Sequence, residues 1–120
     1  IMTCIVLEKG QKLENVMEGY EKVIVQFSAD WCRPCKFITP VVKNKMEEMT
    51  SDNPELKNKI LYVYVNIEEH RILSAQCNIT YIPCFHIKTP GGNVDCNPIV
   101  SGNSEVVIEF CINNGIPFKE

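Results

Sequence analysis

The sequence predicts an α/β protein in which a central five-stranded mixed sheet is flanked by four helices. Strand-like and helix-like segments follow the order β-α-β-α-β-α-β-β-α, and such alternation with right-handed crossovers builds one sheet with helices on both faces. The runs at 23–27 and 60–67 are almost continuously apolar, as in strands that are covered on both sides. With 120 residues and no repeats, residues 1–120 are expected to form one domain with its own core.

The first three elements follow from local patterns. Residues 3–7 predict a short first strand. Apolar residues at positions 13, 16, 17 and 20 recur at helical spacing and predict the first helix, with these residues on one face. Val23–Phe27 predicts the second, central strand.

A long helix is predicted to follow the second strand and to run through Phe37–Met49. Pro34 fits its first turn, where a missing N–H costs nothing, and Pro40 should kink it. The side chains expected to face the core are Phe37, Val41, Val42, Met46 and Met49.

The second half begins with a polar segment, 50–59, that predicts an exposed connection. A third strand is predicted at 60–67, then a helix at 68–77 with Ile72 and Leu73 facing inward, then a fourth strand at 82–87.

Gly91-Gly92 predicts a hairpin turn into a fifth strand, 94–100. Pro98 cannot donate to a ladder, so this strand should lie at an edge. A last helix, capped by Asn103 or Ser104, is expected to turn four side chains inward: Val106, Val107, Phe110 and Cys111.

Charge and hydropathy argue against nucleic-acid and membrane partners. Lysine and arginine number 12 against 15 aspartates and glutamates, a net charge of −3, and no basic stripe is present. No apolar run approaches the roughly 18 residues of a membrane helix. The opening residues lack a basic, then apolar, signal segment. Because Ile1 precedes Met2 as an apparent extra residue, we expect Met2 to be the natural first residue.

Cysteine usage predicts a reducing compartment. The seven cysteines form an odd set with one close pair, which does not resemble a secreted disulfide framework. We therefore expect a cytoplasmic location, with most of these thiols reduced.

The close pair is Cys32 and Cys35, and it lies where the second strand turns into the long helix. This position places the first sulfur at a helix N-terminus, where free backbone N–H groups and the helix dipole favour a thiolate. The thiolate is the nucleophile of thiol–disulfide exchange, so the motif predicts a redox-active disulfide.

At this point the chain resembles the thioredoxin family across nearly its whole length. The segments that carry the resemblance are 27–36 (FSADWCRPCK), Pro40, 65–68 (VNIE), 79–85 (ITYIPCF) and Ser101-Gly102. The resemblance implies the thioredoxin fold and the activity of a protein-disulfide reductase.

The resemblance also implies roles for individual residues. Cys32 would attack the substrate disulfide and Cys35 would resolve the mixed disulfide. Trp31 would cover the site, and a cis Ile82–Pro83 peptide would lie opposite the cysteines. The substrate groove would then be lined by Ile82, Pro83, Tyr81 and Gly102.

Cofactors and partners follow in the same way. We expect no bound cofactor and no metal, because the Cys32–Cys35 pair itself carries the electrons. A thioredoxin reductase-like donor would supply them from NADPH, and disulfide-containing proteins would be the clients. The protein is expected to act as a monomer.

Several residues depart from the family pattern. Arg33 replaces the usual Gly between the cysteines, and its charge should favour the Cys32 thiolate and tune the potential by tens of millivolts at most. An equally open interpretation is a solvated side chain that selects partners.

Gln26 stands where many thioredoxins carry a buried Asp, and Tyr64 stands where its Lys partner is expected. The two changes are consistent, because a neutral Gln–Tyr arrangement avoids a buried charge without a partner. Since Gln cannot accept a proton near neutrality, Cys35 should lose its proton to water or to another group, and resolution should be slower.

Cys84 and Cys77 are open candidates for extra redox thiols. Cys84 follows the proline at 83 in place of the usual Thr, and it is interpreted first as a small apolar filler on a buried strand. Cys77, near the end of the third helix, could have a regulatory role. Tyr81 replaces a common Gly.

The sequence bears differently on a metal site and on a binding function. A zinc site needs a second CxxC, which is absent, and His70 and His86 suit surface or packing positions. The serious alternative is a redox-weak interaction or chaperone module, which the loss of the Asp–Lys pair allows. Retention of Trp31, both cysteines and Pro83 favours the oxidoreductase.

Overall fold

The computed structural model describes residues 3–91 and 97–120. The strands are β1 Cys4–Val6, β2 Lys22–Ser28, β3 Ile60–Asn66, β4 Cys84–Lys88 and β5 Ile99–Val100. The helices are α1 Leu13–Met17, α2 Arg33–Asp52, α3 Arg71–Gln76 and α4 Ser104–Asn113, with a 3-10 helix at Pro54–Asn58.

The strands form one mixed sheet in the order β1-β3-β2-β4-β5. β1, β3 and β2 are parallel, β4 is antiparallel to β2, and β5 is antiparallel to β4. β5 pairs with β4 alone and follows Pro98, as expected of an edge strand. The predicted fold class, a five-stranded mixed sheet with four helices, is confirmed.

The sheet separates two apolar layers, because successive side chains of a strand point to opposite faces. On one face Ile24 and Tyr62 pack with α2 and α4, through side chains such as Val42 and Val107. On the other face Val25 and Phe27 pack with α1 and α3. β2 lies at the centre and is buried along nearly its whole length.

Three side chains expected in the core are exposed, and these predictions were wrong. Phe37 is 64% exposed, while the buried row of α2 contains Ile38, Val42, Met46 and Met49. Because each helical residue advances by about 100°, an error of one position moves a side chain off the apolar face. Ile72 and Val106 are exposed for the same reason.

Several boundaries also differ from the sequence prediction. β4 begins at Cys84 rather than at 82, and α3 spans Arg71–Gln76 rather than 68–77. The segment 50–59 is not a simple connection, because α2 continues to Asp52 and a 3-10 helix follows at Pro54–Asn58. Pro54 suits the first position of that helix, where its missing N–H costs nothing. Of the predicted fifth strand, residues 94–96 lie outside the described residues, and Ile99–Val100 is observed.

The buried row of α2 can be tested with a matched pair of variants. Ile38→Ala should lower the free energy of unfolding by about 2–5 kcal/mol, because it leaves a cavity under the helix. Phe37→Ala, one residue earlier on the exposed face, should cost less than about 1 kcal/mol. Equal losses in urea denaturation would contradict this assignment of the helix face.

Candidate active site

The site is built on the first turn of α2. Cys32 is the N-cap of the helix, and the backbone N–H of Cys35 donates a hydrogen bond to Cys32 Sγ at 3.3 Å. Pro34 lies in the same turn, where helices tolerate proline. The two Cα atoms are 5.3 Å apart, and the cysteines form a disulfide.

The two cysteines differ in exposure. Cys32 is 6% exposed and Cys35 is 1% exposed. Both pack with Ala29 at the end of β2, and Ile67 and Ile82 lie against them. A partner can therefore approach the disulfide from the Cys32 side, while Cys35 lies beneath it.

The Ile82–Pro83 peptide is cis and closes one side of the site. Ile82 packs on the cysteines, and the backbone N–H of Ser101 donates to the Pro83 carbonyl at 3.2 Å. Gly102 follows against Pro34, so closely that a Cβ at position 102 would lie 2.9 Å from Pro34 Cβ. Three separate segments of the chain thus meet at the disulfide.

Two aromatic side chains near the disulfide are exposed to solvent. Trp31 is 66% exposed and Tyr81 is 70% exposed. Arg33 is also exposed, and its Cζ lies 5.8 Å from the ring centroid of Phe37, one helical turn further on. The sequence-predicted groove residues are therefore gathered around an open, partly aromatic surface.

Beneath the disulfide, the fully buried Gln26 is hydrogen-bonded to three side chains. Its Nε2 donates to Ser28 Oγ at 2.8 Å and to Thr39 Oγ1 at 2.9 Å. Its Oε1 accepts from the hydroxyl of Tyr62. Thr39 Oγ1 in turn donates to the carbonyl of Cys35 at 2.9 Å, which connects the sheet to the active-site turn.

The hydroxyl of Thr39 fixes the orientation of the Gln26 amide. Because its proton is committed to the Cys35 carbonyl, Thr39 can only accept from Gln26, so the amide nitrogen must face it. Both amide protons are then used. The network is neutral and holds no group that can take a proton from Cys35 near pH 7.

The expected tyrosine partner of Gln26 was wrong. Tyr64 lies beside Gln26 in the strand register, but the hydroxyl that reaches the amide belongs to Tyr62, two residues earlier on the same face of β3. Burial raises the pKa of Tyr62 far above its ordinary value, so it remains a donor. Burial, and then the charge of Asp30, raises the pKa of the half-buried Tyr64.

The extra thiols pack in a different apolar cluster from the one that contains Cys32 and Cys35. Cys84 is buried beside Phe27 in the apolar layer on the α1 and α3 side of the sheet, and Cys77 packs against the same layer. Burial is the main cause that raises the pKa of the Cys84 thiol. The structure therefore favours the filler interpretation of Cys84.

The histidines occupy packing positions. His70 is buried with its Nε2 3.0 Å from the Leu7 carbonyl, and the rings of His86 and Phe27 pack edge-to-face with their centroids 5.3 Å apart. Within residues 3–91 and 97–120, no three His, Cys, Asp or Glu side chains are grouped as a metal site requires. Across the same residues, none of the helices has the length and apolar character needed to span a membrane.

Comparison with known proteins decides the family. The sequence model of the family described as Thioredoxin matches residues 4–112. The chain belongs to the thioredoxin family.

Individual relatives agree with this assignment. The chain is 27% identical over 109 residues to thioredoxin of Oryctolagus cuniculus, which covers 89% of this chain and 93% of that protein. It is 33% identical over 72 residues to Thioredoxin-T of Drosophila melanogaster, covering 60% of this chain and 41% of that protein. A crystal structure of Schistosoma mansoni thioredoxin superposes with a TM-score of 0.75 at 25% identity, over 95% of this chain and 96% of that one.

Thioredoxin-family membership together with the Cys32–Cys35 disulfide supports a thiol–disulfide oxidoreductase. Sequence reasoning missed three residues of the supporting network: Ser28, Thr39 and Tyr62. Sequence signals could have revealed two of them. Thr39 lies one helical turn after Cys35, and Tyr62 shares the strand face of Tyr64.

The neutral network can be tested at Tyr62. Tyr62→Phe should lower the free energy of unfolding by about 1–3 kcal/mol, because Gln26 Oε1 is left in the interior without a donor. Tyr64→Phe is the matched control and should cost about 0.5 kcal/mol or less. A larger loss at position 64 in urea denaturation would contradict the assignment.

The same tyrosine gives a pH signature. Because the pKa of Tyr62 is raised in the folded protein, its contribution is complete below the unfolded pKa of about 10 and is lost as pH rises above it. Tyr62→Phe should therefore flatten the loss of stability above about pH 10. Identical alkaline slopes in the two proteins would exclude this linkage.

The burial of Cys84 predicts that its thiol reacts slowly with alkylating reagents in the native protein. In the reduced native protein at about pH 8, iodoacetamide should modify Cys32 before Cys84, because Cys32 lies at a helix N-terminus whereas burial raises the pKa of the Cys84 thiol. Cys84 should react at least about tenfold more slowly in the native protein than in denaturant. Peptide mass spectrometry measures both rates. Rapid native labelling of Cys84 would show an accessible third thiol instead.

Proposed function

We propose that the protein reduces protein disulfides by dithiol–disulfide exchange, with Cys32 as the nucleophile and Cys35 as the resolving thiol. The observation that carries the proposal is the placement of Cys32 at the N-cap of α2, on the more accessible side of the disulfide. Backbone N–H groups at a helix N-terminus favour the thiolate over the thiol.

The exchange proceeds in two balanced steps. The Cys32 thiolate attacks one sulfur of the client disulfide, so that a Cys32–client bond forms, the client S–S bond breaks and a client thiolate leaves. The Cys35 thiolate then attacks Cys32 Sγ, which forms the Cys32–Cys35 disulfide and releases the second client sulfur. Two electrons and two protons pass to the client.

Loss of the proton from the Cys35 thiol is the slow step of this scheme. Gln26 has both amide protons committed and cannot accept another, and Tyr62 keeps its own proton. The Cys35 proton therefore leaves to water or to the departing client thiolate. The titration of Cys35 in the resolving step should accordingly show no coupling to a buried carboxylate.

The electron supply and cellular setting complete the proposal. A thioredoxin reductase-like enzyme would regenerate the dithiol with electrons from NADPH, and disulfide-containing proteins would be the clients. The protein would hold no cofactor of its own, and it would act as a monomer in the cytoplasm. The family assignment supports the reductase and the disulfide clients.

The decisive variant is Cys35→Ser. Without a resolving thiol, the mixed disulfide between Cys32 and a client should accumulate, because the second step cannot occur. Mass spectrometry of the variant mixed with an oxidised client measures the adduct. Cys32→Ser is the matched control and should form none.

The same experiment separates the two candidate functions. An interaction module with weak redox chemistry would bind a client without forming a Cys32 adduct. Absence of the adduct in Cys35→Ser, under conditions where the client is reducible by a small dithiol, would refute the exchange mechanism. The neutral Gln26–Tyr62 pair is the observation that keeps this alternative open.

The redox midpoint of the Cys32–Cys35 pair gives the direction of transfer. Values of about −270 mV are typical of thioredoxin and about −180 mV of protein disulfide isomerase. Equilibration with a glutathione or dithiol buffer, followed by counting alkylated cysteines, measures the midpoint. A value near the first supports reduction, and a value near the second opposes it.

A further inference from the structure

Arg33 has a defined position beside the disulfide. Its Cζ lies 5.8 Å from the ring centroid of Phe37, and a guanidinium over an aromatic face is held by the ring quadrupole. Residues four apart share one side of a helix, and here that side is the exposed one. The positive group therefore stands at the surface immediately after Cys32.

This charge is not neutralised within the described part of the chain. Within residues 3–91 and 97–120, the ion pairs join Lys45 to Glu48, Lys59 to Glu21 and Lys119 to Asp52, and Arg33 takes part in none of them. The first turn of α2 contains no acidic residue, and the exposed Lys36 adds a second cation.

The acid nearest in sequence is Asp30, which does not form an ion pair with Arg33 among the described residues. Asp30 is exposed, and its charge acts on the hydroxyl of Tyr64 on β3. The positive end of the α2 dipole coincides with Arg33 and Lys36, so positive charge is concentrated at the first turn of the helix.

We propose that Arg33, held by Phe37, selects client disulfides whose cysteine is flanked by Asp or Glu. The selection deepens the proposed disulfide exchange and rests on it. When Cys32 attacks, the client cysteine must lie against Cys32, so the residues next to it in the client come close to position 33. A carboxylate there is attracted by the guanidinium, and an ammonium group is repelled.

This preference is separable from any effect of Arg33 on the nucleophile. A change in the reactivity of Cys32 alters the rate with every client by the same factor. A contact between Arg33 and a flanking side chain alters the ratio of rates between clients that differ only there. The ratio therefore isolates the contact, as in a double-mutant cycle.

The test uses three synthetic peptides that share one intramolecular disulfide and differ at one flanking position, which is Glu, Gln or Lys. Prereduced protein is mixed with each peptide at low ionic strength, and the single-turnover rate of peptide thiol formation is measured. The variants are Arg33→Gln, Arg33→Glu and Phe37→Leu. Lys57→Gln is the matched control, since it removes one exposed cation from the 3-10 helix.

We expect the Glu-to-Lys rate ratio to be about two- to fivefold higher in the natural protein than in Arg33→Gln, the range of exposed ion pairs. Arg33→Glu should invert the preference, and Phe37→Leu should reduce it. About 0.5 M salt should abolish it by screening. Lys57→Gln should leave it unchanged.

The outcomes that would overturn the proposal are distinct. Equal ratios in the natural protein and in Arg33→Gln would show that Arg33 does not select clients, while the exchange chemistry stands. An equal loss in Lys57→Gln would assign the effect to net charge. If none of the peptides is reduced, the proposed function itself fails, and the selection fails with it.

Discussion

The rest of the site depends on the hydrogen bonds of the buried Gln26 amide. It lies at the centre of the sheet and accepts from Tyr62 of β3, while it donates to Thr39 of α2. Through Thr39 it also reaches the carbonyl of Cys35. A buried amide that lost these partners would lower the free energy of unfolding by about 1 to several kcal/mol. The strand, the helix and the active-site turn are therefore held in the one arrangement that keeps all the hydrogen bonds.

The chemistry of the site follows from the neutrality of this interaction. An amide with both protons committed can orient the active-site turn, but it cannot exchange protons with Cys35 near pH 7. Positioning and proton transfer, which a single carboxylate could combine, are thus separated in this chain. The surface above the disulfide then depends on side chains that contact solvent, above all Arg33, Trp31 and Tyr81.

Much of the fold could be predicted because periodicity and turn residues are local signals. The long apolar runs of β2 and β3, the helix after Cys32 and the edge position of the strand after Pro98 all follow from neighbours in sequence. The buried face of α2 could not be predicted in this way. Phe37 and Ile38 are adjacent apolar residues, and only packing against the sheet decides which of them is buried. The partner of Gln26 was misassigned because strand register identifies only the residue directly opposite. A long aromatic side chain such as Tyr62 can also reach a diagonal neighbour on the adjacent strand.

The close approach of Gly102 to Pro34 has a consequence for variation in this fold. A Cβ at position 102 would lie 2.9 Å from the Cβ that residue 34 already carries, and every amino acid except glycine has that atom. At this backbone separation only one of the two positions, 34 or 102, can carry a β-carbon. Replacement of Gly102 by a larger residue is therefore accommodated only if position 34 becomes glycine or the two segments move apart, which would widen the entrance to the disulfide.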